Sequence, residues 1–240
     1  MTALRAFQPD LIVEATAVCD RQCAGCYAPN VISREAPSEM MTRRPDLFLS
    51  PEQLRQTLQA FLQHTPTPVH IVGIRGGEPT RHPHLTGILS IIRSLSSAAI
   101  YLETHGRWLI NDEPYVELLR ALAGTRTIVK LSFDRMHGLS ADELRTLTRC
   151  LDQHRVAWCV AITESSEAAF SSSRAACSWV SDDQIFYQPK VEVATKLLRA
   201  GCSVISVNGR LSGMLSVRSE FKAVAPKIST PSTIASGGIA

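Results

Sequence analysis

The sequence predicts an α/β protein built as a partial (β/α)6 TIM-like barrel, on three observations. Short apolar runs of β type alternate with amphipathic stretches of helical period, the pattern of a parallel sheet covered by helices. Five or six such units fit into 240 residues, short of the eight that close a TIM barrel. The residues able to carry chemistry fall just after the apolar runs, where the βα loops of such a fold collect on one face.

Strands are predicted at residues 11–17, 69–74, 99–103, 128–133 and 156–162, with a sixth, shorter run at 185–188. Ser50-Pro51-Glu52-Gln53 supplies a capping serine, a proline at the first helical position and a glutamine three residues after the cap, which starts a helix over 51–63. Helices follow at 85–95, 113–123 and 141–154, the last capped by Ser140 with Glu143 completing a capping box. Segment 31–49 is long for a βα loop and reads as a lid or a substrate-contacting excursion.

Beyond Pro189 the pattern loosens into a helical stretch at 191–199 and a hairpin of 202–207 and 213–217 around an Asn208-Gly209 turn. The tail APKISTPSTIASGGIA is rich in Ser, Thr, Pro and Gly, so disorder is expected there. The expected organisation is a barrel core over 1–190, a C-terminal helix and hairpin over 191–224, and a tail over 225–240.

Twenty-five basic residues against 22 acidic ones give a net charge of +3, too mild to announce a nucleic-acid or membrane partner, and neither is expected. No run of about 18 apolar residues occurs and the N-terminus has no long apolar stretch after a basic start, so a cytoplasmic location is expected. In a reducing compartment, seven cysteines with three of them clustered point to metal or redox chemistry ahead of a disulfide framework.

The cluster is CDRQCAGC, with Cys19, Cys23 and Cys26 following the first predicted strand. Such spacing lets one compact turn wrap three thiolates around a single centre. Zinc sites usually pair a CxxC with a second pair or with histidines at a set distance, and none follows here; a zinc site would have to be finished by a distant residue such as His64 or Cys150. A [4Fe-4S] cluster held by three thiolates instead keeps one iron without a protein ligand, open to substrate or cofactor.

CxxxCxxC after the first strand, with Gly76-Gly77-Glu78-Pro79 after the second, resembles the radical S-adenosylmethionine (SAM) superfamily. The resemblance covers roughly residues 10 to 190 and implies a partial barrel of the radical SAM type. It implies a [4Fe-4S] cluster on Cys19, Cys23 and Cys26, with S-adenosyl-L-methionine chelating the open iron through its methionyl amino and carboxylate groups. Reductive cleavage would then give a 5'-deoxyadenosyl radical that abstracts hydrogen from an organic substrate. An electron donor such as flavodoxin or ferredoxin is implied as partner.

Position by position, Gly76, Gly77 and Glu78 match the family's GGE motif, whose backbone and carboxylate receive the methionyl amino group; small residues suit a close approach of chain to ligand. Leu131-Ser132-Phe133-Asp134 resembles the fourth-strand stretch that meets the ribose, so Ser132 and Asp134 are candidates. An ordinary strand serine facing a helix, and an aspartate opening a loop, are the plainer readings of that pair. Thr104-His105-Gly106 resembles the family's T-N-G turn, with His105 in place of the usual asparagine. The residue before the third cysteine is commonly aromatic in the family; here it is Gly25, which moves the expected adenine contact to Tyr27.

Cys150, Cys159, Cys177 and Cys202 are scattered and read as buried, inert thiols. Arg75 and the Arg43-Arg44 pair could meet a carboxylate or phosphate, and His137 lies in a loop on the expected active face. A small-molecule biosynthetic substrate is expected ahead of a peptide, because the core is short and shows no peptide-recognition domain or second cluster motif. Modification of a peptide or protein is the competing activity. From another class, the chain would be a non-catalytic iron–sulfur or zinc-binding regulatory module.

Overall fold

The computed structural model describes residues 9–23, 26, 30–111, 115–164, 166–189 and 203–213. In chain order these form β1 (Leu11–Thr16), β2 (Val18–Cys19), β3 (Val31–Ile32), α1 (Pro37–Arg43), α2 (Pro51–His64), β4 (Ile71–Gly76), α3 (Leu85–Leu95) and β5 (Ala99–Thr104). There follow α4 (Trp108–Asn111), α5 (Val116–Leu122), β6 (Thr127–Ser132), α6 (Ala141–Gln153), β7 (Ala157–Glu164), α7 (Glu167–Ala176), β8 (Ile185–Pro189), β9 (Ser203–Ile205) and β10 (Leu211–Gly213).

One eight-stranded sheet runs in the order β10-β9-β1-β4-β5-β6-β7-β8, and every pairing in it is parallel except β10 on β9. The six predicted barrel strands are all present, within two residues of the predicted start or end. The hairpin is present too, turning at Asn208-Gly209, but β9 lies parallel to β1 and so extends the barrel sheet by a seventh parallel strand. Its second strand begins at Leu211, two residues earlier than predicted. The predicted helix at 191–199, Cys202 and the tail lie outside the described residues.

Alternation sets the two faces of the sheet. Val13, Val72, Ile74, Ile100, Leu102, Val129, Leu131, Val160 and Ile162 point to the helices and form the main core with Leu54, Leu58, Ile88, Leu89, Leu144 and Leu147. Both predicted capping boxes exist: Ser50 and Ser140 each accept from the third helical amide, and Gln53 and Glu143 reach back to the cap amides. Each such cap stabilises its helix by about 1 kcal/mol.

Three helices went unassigned in the sequence, one of them the single turn of α4. Helix α7 carries three consecutive serines, weak helix formers that blur its periodicity, and starts where Ser166 accepts from the Ala169 amide. Helix α1 lies inside segment 31–49, which packs against the root of the cysteine loop. Met40, Leu47 and Phe48 bury against Val18, and the chain is tied to β1 by Ala17 N–H to Leu47 O (2.8 Å), Leu49 N–H to Ala15 O (2.9 Å) and Thr16 Oγ1 to Leu47 O (2.9 Å). Arg43 and Arg44 are used within the same segment, pairing with Glu35 and Asp46. No helix among the described residues is long and apolar enough to cross a membrane.

Candidate metal and cofactor site

The C-terminal ends of β1, β4, β5 and β6 bring four sequence motifs to one mouth. At the first, β1 breaks after Thr16, whose hydroxyl takes the Val18 amide at 3.0 Å, and the chain enters the cysteine loop through β2. β3 runs beside β2 and donates backbone bonds to it, Val31 N–H to Ala17 O and Ser33 N–H to Cys19 O, both at 2.8 Å. The first cysteine therefore stands on fixed backbone.

Cys19 is buried, Cys23 half-buried and Cys26 exposed, and all three are free thiols. Cys26 N–H donates to Cys23 O at 3.2 Å. Burial pushes the Cys19 thiol up to about 12, with Glu78, Asp20 and Cys23 adding to it against an opposing hydrogen bond from the Arg21 backbone. Burial raises Cys23 as well, partly offset by the Arg21 side chain, while Cys26 and Asp134 push it further up. Such thiols deprotonate on binding a metal centre, whose positive charge replaces the missing counter-ion.

The second motif passes very close to the first. Gly77 N–H donates to Thr16 O at 2.7 Å and Glu78 N–H to Val18 O at 2.9 Å, so the GGE segment is sewn to the root of the cysteine loop. A Cβ on Gly76 would stand 2.1 Å from Thr16 O, and one on Gly77 2.1 Å from Val18 O. Gly76 also has φ +141°, a region closed to most side chains. The close approach that demands glycine here is therefore to the chain itself.

Glu78 is buried and its carboxylate is fully engaged. Its Oε1 accepts from Thr80 N (3.2 Å), Thr80 Oγ1 (2.8 Å) and Thr104 Oγ1 (2.7 Å), and its Oε2 from His105 N (3.1 Å). The His105 ring adds Nε2 at 3.2 Å from Oε2 and reaches Asp20 Oδ1 at 2.9 Å. Burial draws the His105 pKa down, but Glu78 and Asp20 outweigh it and hold the ring above its ordinary value. Burial likewise opposes the ionised form of Asp20, yet the His105 hydrogen bond keeps its carboxyl below the usual range. One histidine thus joins the cysteine loop to the GGE segment and the turn after β5, a link the T-N-G resemblance did not disclose.

At the fourth strand, Ser132 ends β6 half-buried on the face turned away from the helices, which removes its helix-facing alternative. Asp134 is buried, and both its oxygens lie 2.8 Å from His137 Nδ1, with the His137 amide at 2.9 Å. Tyr27 lies outside the described residues. Neither suggested partner for a zinc site stands at this mouth, since His64 ends α2 and Cys150 lies within α6. Among the described residues, the metal-ligand atoms that gather within 4.8 Å of one another belong to Cys19, Asp20 and His105.

No protein-family model matches the chain, and no curated protein matches it either. Several solved structures share its fold. Native anSMEcpe with bound AdoMet superposes with a TM-score of 0.53 at 16% identity, over 86% of this chain and 55% of its own. SuiB of Streptococcus suis bound to S-adenosylmethionine gives 0.52 at 14% identity, over 80% of this chain and 41% of its own. Native anSMEcpe with bound AdoMet and Kp18Cys peptide gives 0.52 at 17% identity, over 79% and 52%. The chain spans about half the length of these structures. With its parallel strand order and its one decorated mouth, it has the fold of the radical SAM (β/α) barrel proteins.

Proposed function

We propose that the chain is a radical SAM enzyme, holding a [4Fe-4S] cluster through Cys19, Cys23 and Cys26 and binding S-adenosyl-L-methionine beside it. The observation that carries this reading is the seam between the cysteine loop and Gly76-Gly77-Glu78 at the C-terminal mouth of a radical SAM fold. The donor set fits the group: three free thiols on one loop, with the first supported by backbone bonds of β2 and β3. When bound, a cluster with one iron free of protein ligands supplies an electron and a binding position for S-adenosylmethionine, giving the 5'-deoxyadenosyl radical that abstracts hydrogen.

The protein's own residues position and exclude. Glu78 is best read as a positioning residue, because its carboxylate is spent on Thr80, Thr104 and His105 and so fixes the backbone that the glycines present. Gly76, Gly77, Ser132 and Asp134, with Tyr27, are proposed as the side of the mouth that faces the cofactor. His137 restrains the Asp134 carboxylate toward that face. The substrate is read as a small molecule undergoing rearrangement, dehydrogenation or C–C bond formation. The anSMEcpe complex with a Kp18Cys peptide favours a second reading, modification of a peptide. The gathering of Cys19, Asp20 and His105 favours a third, a single-metal regulatory site.

Anaerobic reconstitution with iron and sulfide, reduction in the presence of S-adenosylmethionine and chromatography for 5'-deoxyadenosine separate these readings. The expected result is product from the wild type and none from Cys23→Ala. A chain that binds one zinc tightly and builds no cluster would support the regulatory module instead.

A further inference from the structure

The inner face of the barrel is not filled as barrel interiors usually are, with layers of branched aliphatic side chains. Four adjacent strands each place one charge there, in register and with alternating sign: Glu14 on β1, Arg75 on β4, Glu103 on β5 and Lys130 on β6. Glu14 stands opposite Arg75, with N and O 3.7 Å apart, and Lys130 Nζ donates to Glu103 Oε2 at 2.9 Å. The side chains of Lys130 and Arg75 are 1% and 3% exposed, so these charges have left water.

Buried ion pairs of this kind contribute little stability compared with apolar residues of the same size. Their presence on a face that needs only packing asks for another reason. The second oxygen of Glu103 supplies one: Oε1 is buried and accepts from no donor among the described residues. It lies over Gly73, three residues below the end of β4, where a Cβ would come 3.0 Å from it and 3.6 Å from Pro9, so the glycine leaves the carboxylate its room. A buried carboxylate oxygen without a donor is costly, and a ligand that donates to it recovers that cost.

The layer also lies beneath the mouth that gathers the cysteine loop and the GGE segment. Lys130 is two residues before the end of β6 and Arg75 one before the end of β4, so at about 3.3 Å per residue their backbones lie within about 7 Å of the mouth, and Glu103 Oε1, over Gly73, about 10 Å below it. Resting on the radical SAM reading above, we propose that this inner face binds the substrate and that the substrate is a small zwitterion of the free amino-acid class. Its ammonium donates to Glu103 Oε1, and its carboxylate lies toward the Arg75 and Lys130 cations. A dianion such as a phosphate would meet the uncovered oxygen of Glu103, and an internal peptide segment brings neither charge.

The test is equilibrium dialysis of the full chain, reconstituted and with S-adenosylmethionine present, against the free L-α-amino acids, their N-acetyl derivatives and their methyl esters. Cluster content and S-adenosylmethionine binding are measured on the same samples, so a failed cofactor reading shows separately from a failed substrate reading. At least one free amino acid is expected to bind, with its N-acetyl and ester forms weaker by roughly ten-fold or more, the loss of a charge-assisted hydrogen bond. Glu103→Gln keeps an acceptor for Lys130 and is expected to weaken binding to the same degree with cluster content unchanged. Gly73→Ala, which crowds Oε1, is expected to weaken it as well. No binding by any free amino acid, binding indifferent to N-acetylation and to Glu103→Gln, or binding of internal peptide segments alone would each overturn the proposal.

Discussion

At the scale of single residues, His105 does the work that the resemblance left to an asparagine. Its ring spans Asp20 and Glu78, and its pKa in the folded chain lies above the unfolded value of roughly 6.5. The protonated ring therefore adds stability that is fully present below the unfolded value and is lost as pH rises through the folded one. Asp20, held below the usual carboxylate range, stays ionised across that window. His105→Asn should narrow its stability gap to the wild type as pH rises from mildly acidic to mildly alkaline, measured by urea unfolding of the metal-free chain. A gap that stays constant or widens would show that the ring carries no charge in the fold.

Several single residues were legible in the sequence only by type. The cysteines, glycines and Glu78 were found because they sit at fixed offsets after strands. What Glu78 touches was not: Thr80 lies two residues away in the same turn, but Thr104 and His105 stand at the end of β5, and only folding brings them to the same carboxylate. The inner-face charges left a readable trace: in LIVEAT, IVGIRG, AIYLET and TIVKLS one charged residue interrupts each apolar strand at an inward position. Cys159 was expected in the core and is buried, but beside Lys130 and Glu103, and burial pushes its thiol up to about 12. It is inert as a nucleophile on that account.

At the scale of elements, segment 31–49 changes meaning. Its length suggested a lid, whereas α1 and the turn after it brace the junction of β1 with the cysteine loop through Met40, Leu47 and Phe48 packed on Val18. The sequence hid this because the packing partner, Val18, opens a strand of two residues, too short to show a period. Leu47→Ala should cost about 2 kcal/mol, the low end for a buried leucine, since the cluster it leaves is small and near the surface. It should also lower iron loading, read as iron per chain after reconstitution. Full loading alongside a stability loss of that size would show that the brace serves the fold alone.

At the scale of the molecule, the βα alternation and the helix coverage followed from periodicity, since each strand alternates between a helix-facing apolar set and an inner set. The seventh parallel strand did not follow. β9 is three residues long, and nothing local tells a hairpin which sheet edge it will join. Its docking on β1 places a further strand next to the one that feeds the cysteine loop, so that edge of β1 is covered by β9 and β10.

The central claim is that three cysteines leave one iron for S-adenosylmethionine. Its most direct test is pulsed electron paramagnetic resonance of the reduced, reconstituted chain with S-adenosylmethionine isotopically labelled at the amino nitrogen. The account predicts a [4Fe-4S] signal that shifts on addition and shows hyperfine coupling to the label, with both absent in Cys23→Ala. A fully loaded cluster whose spectrum ignores S-adenosylmethionine would contradict it.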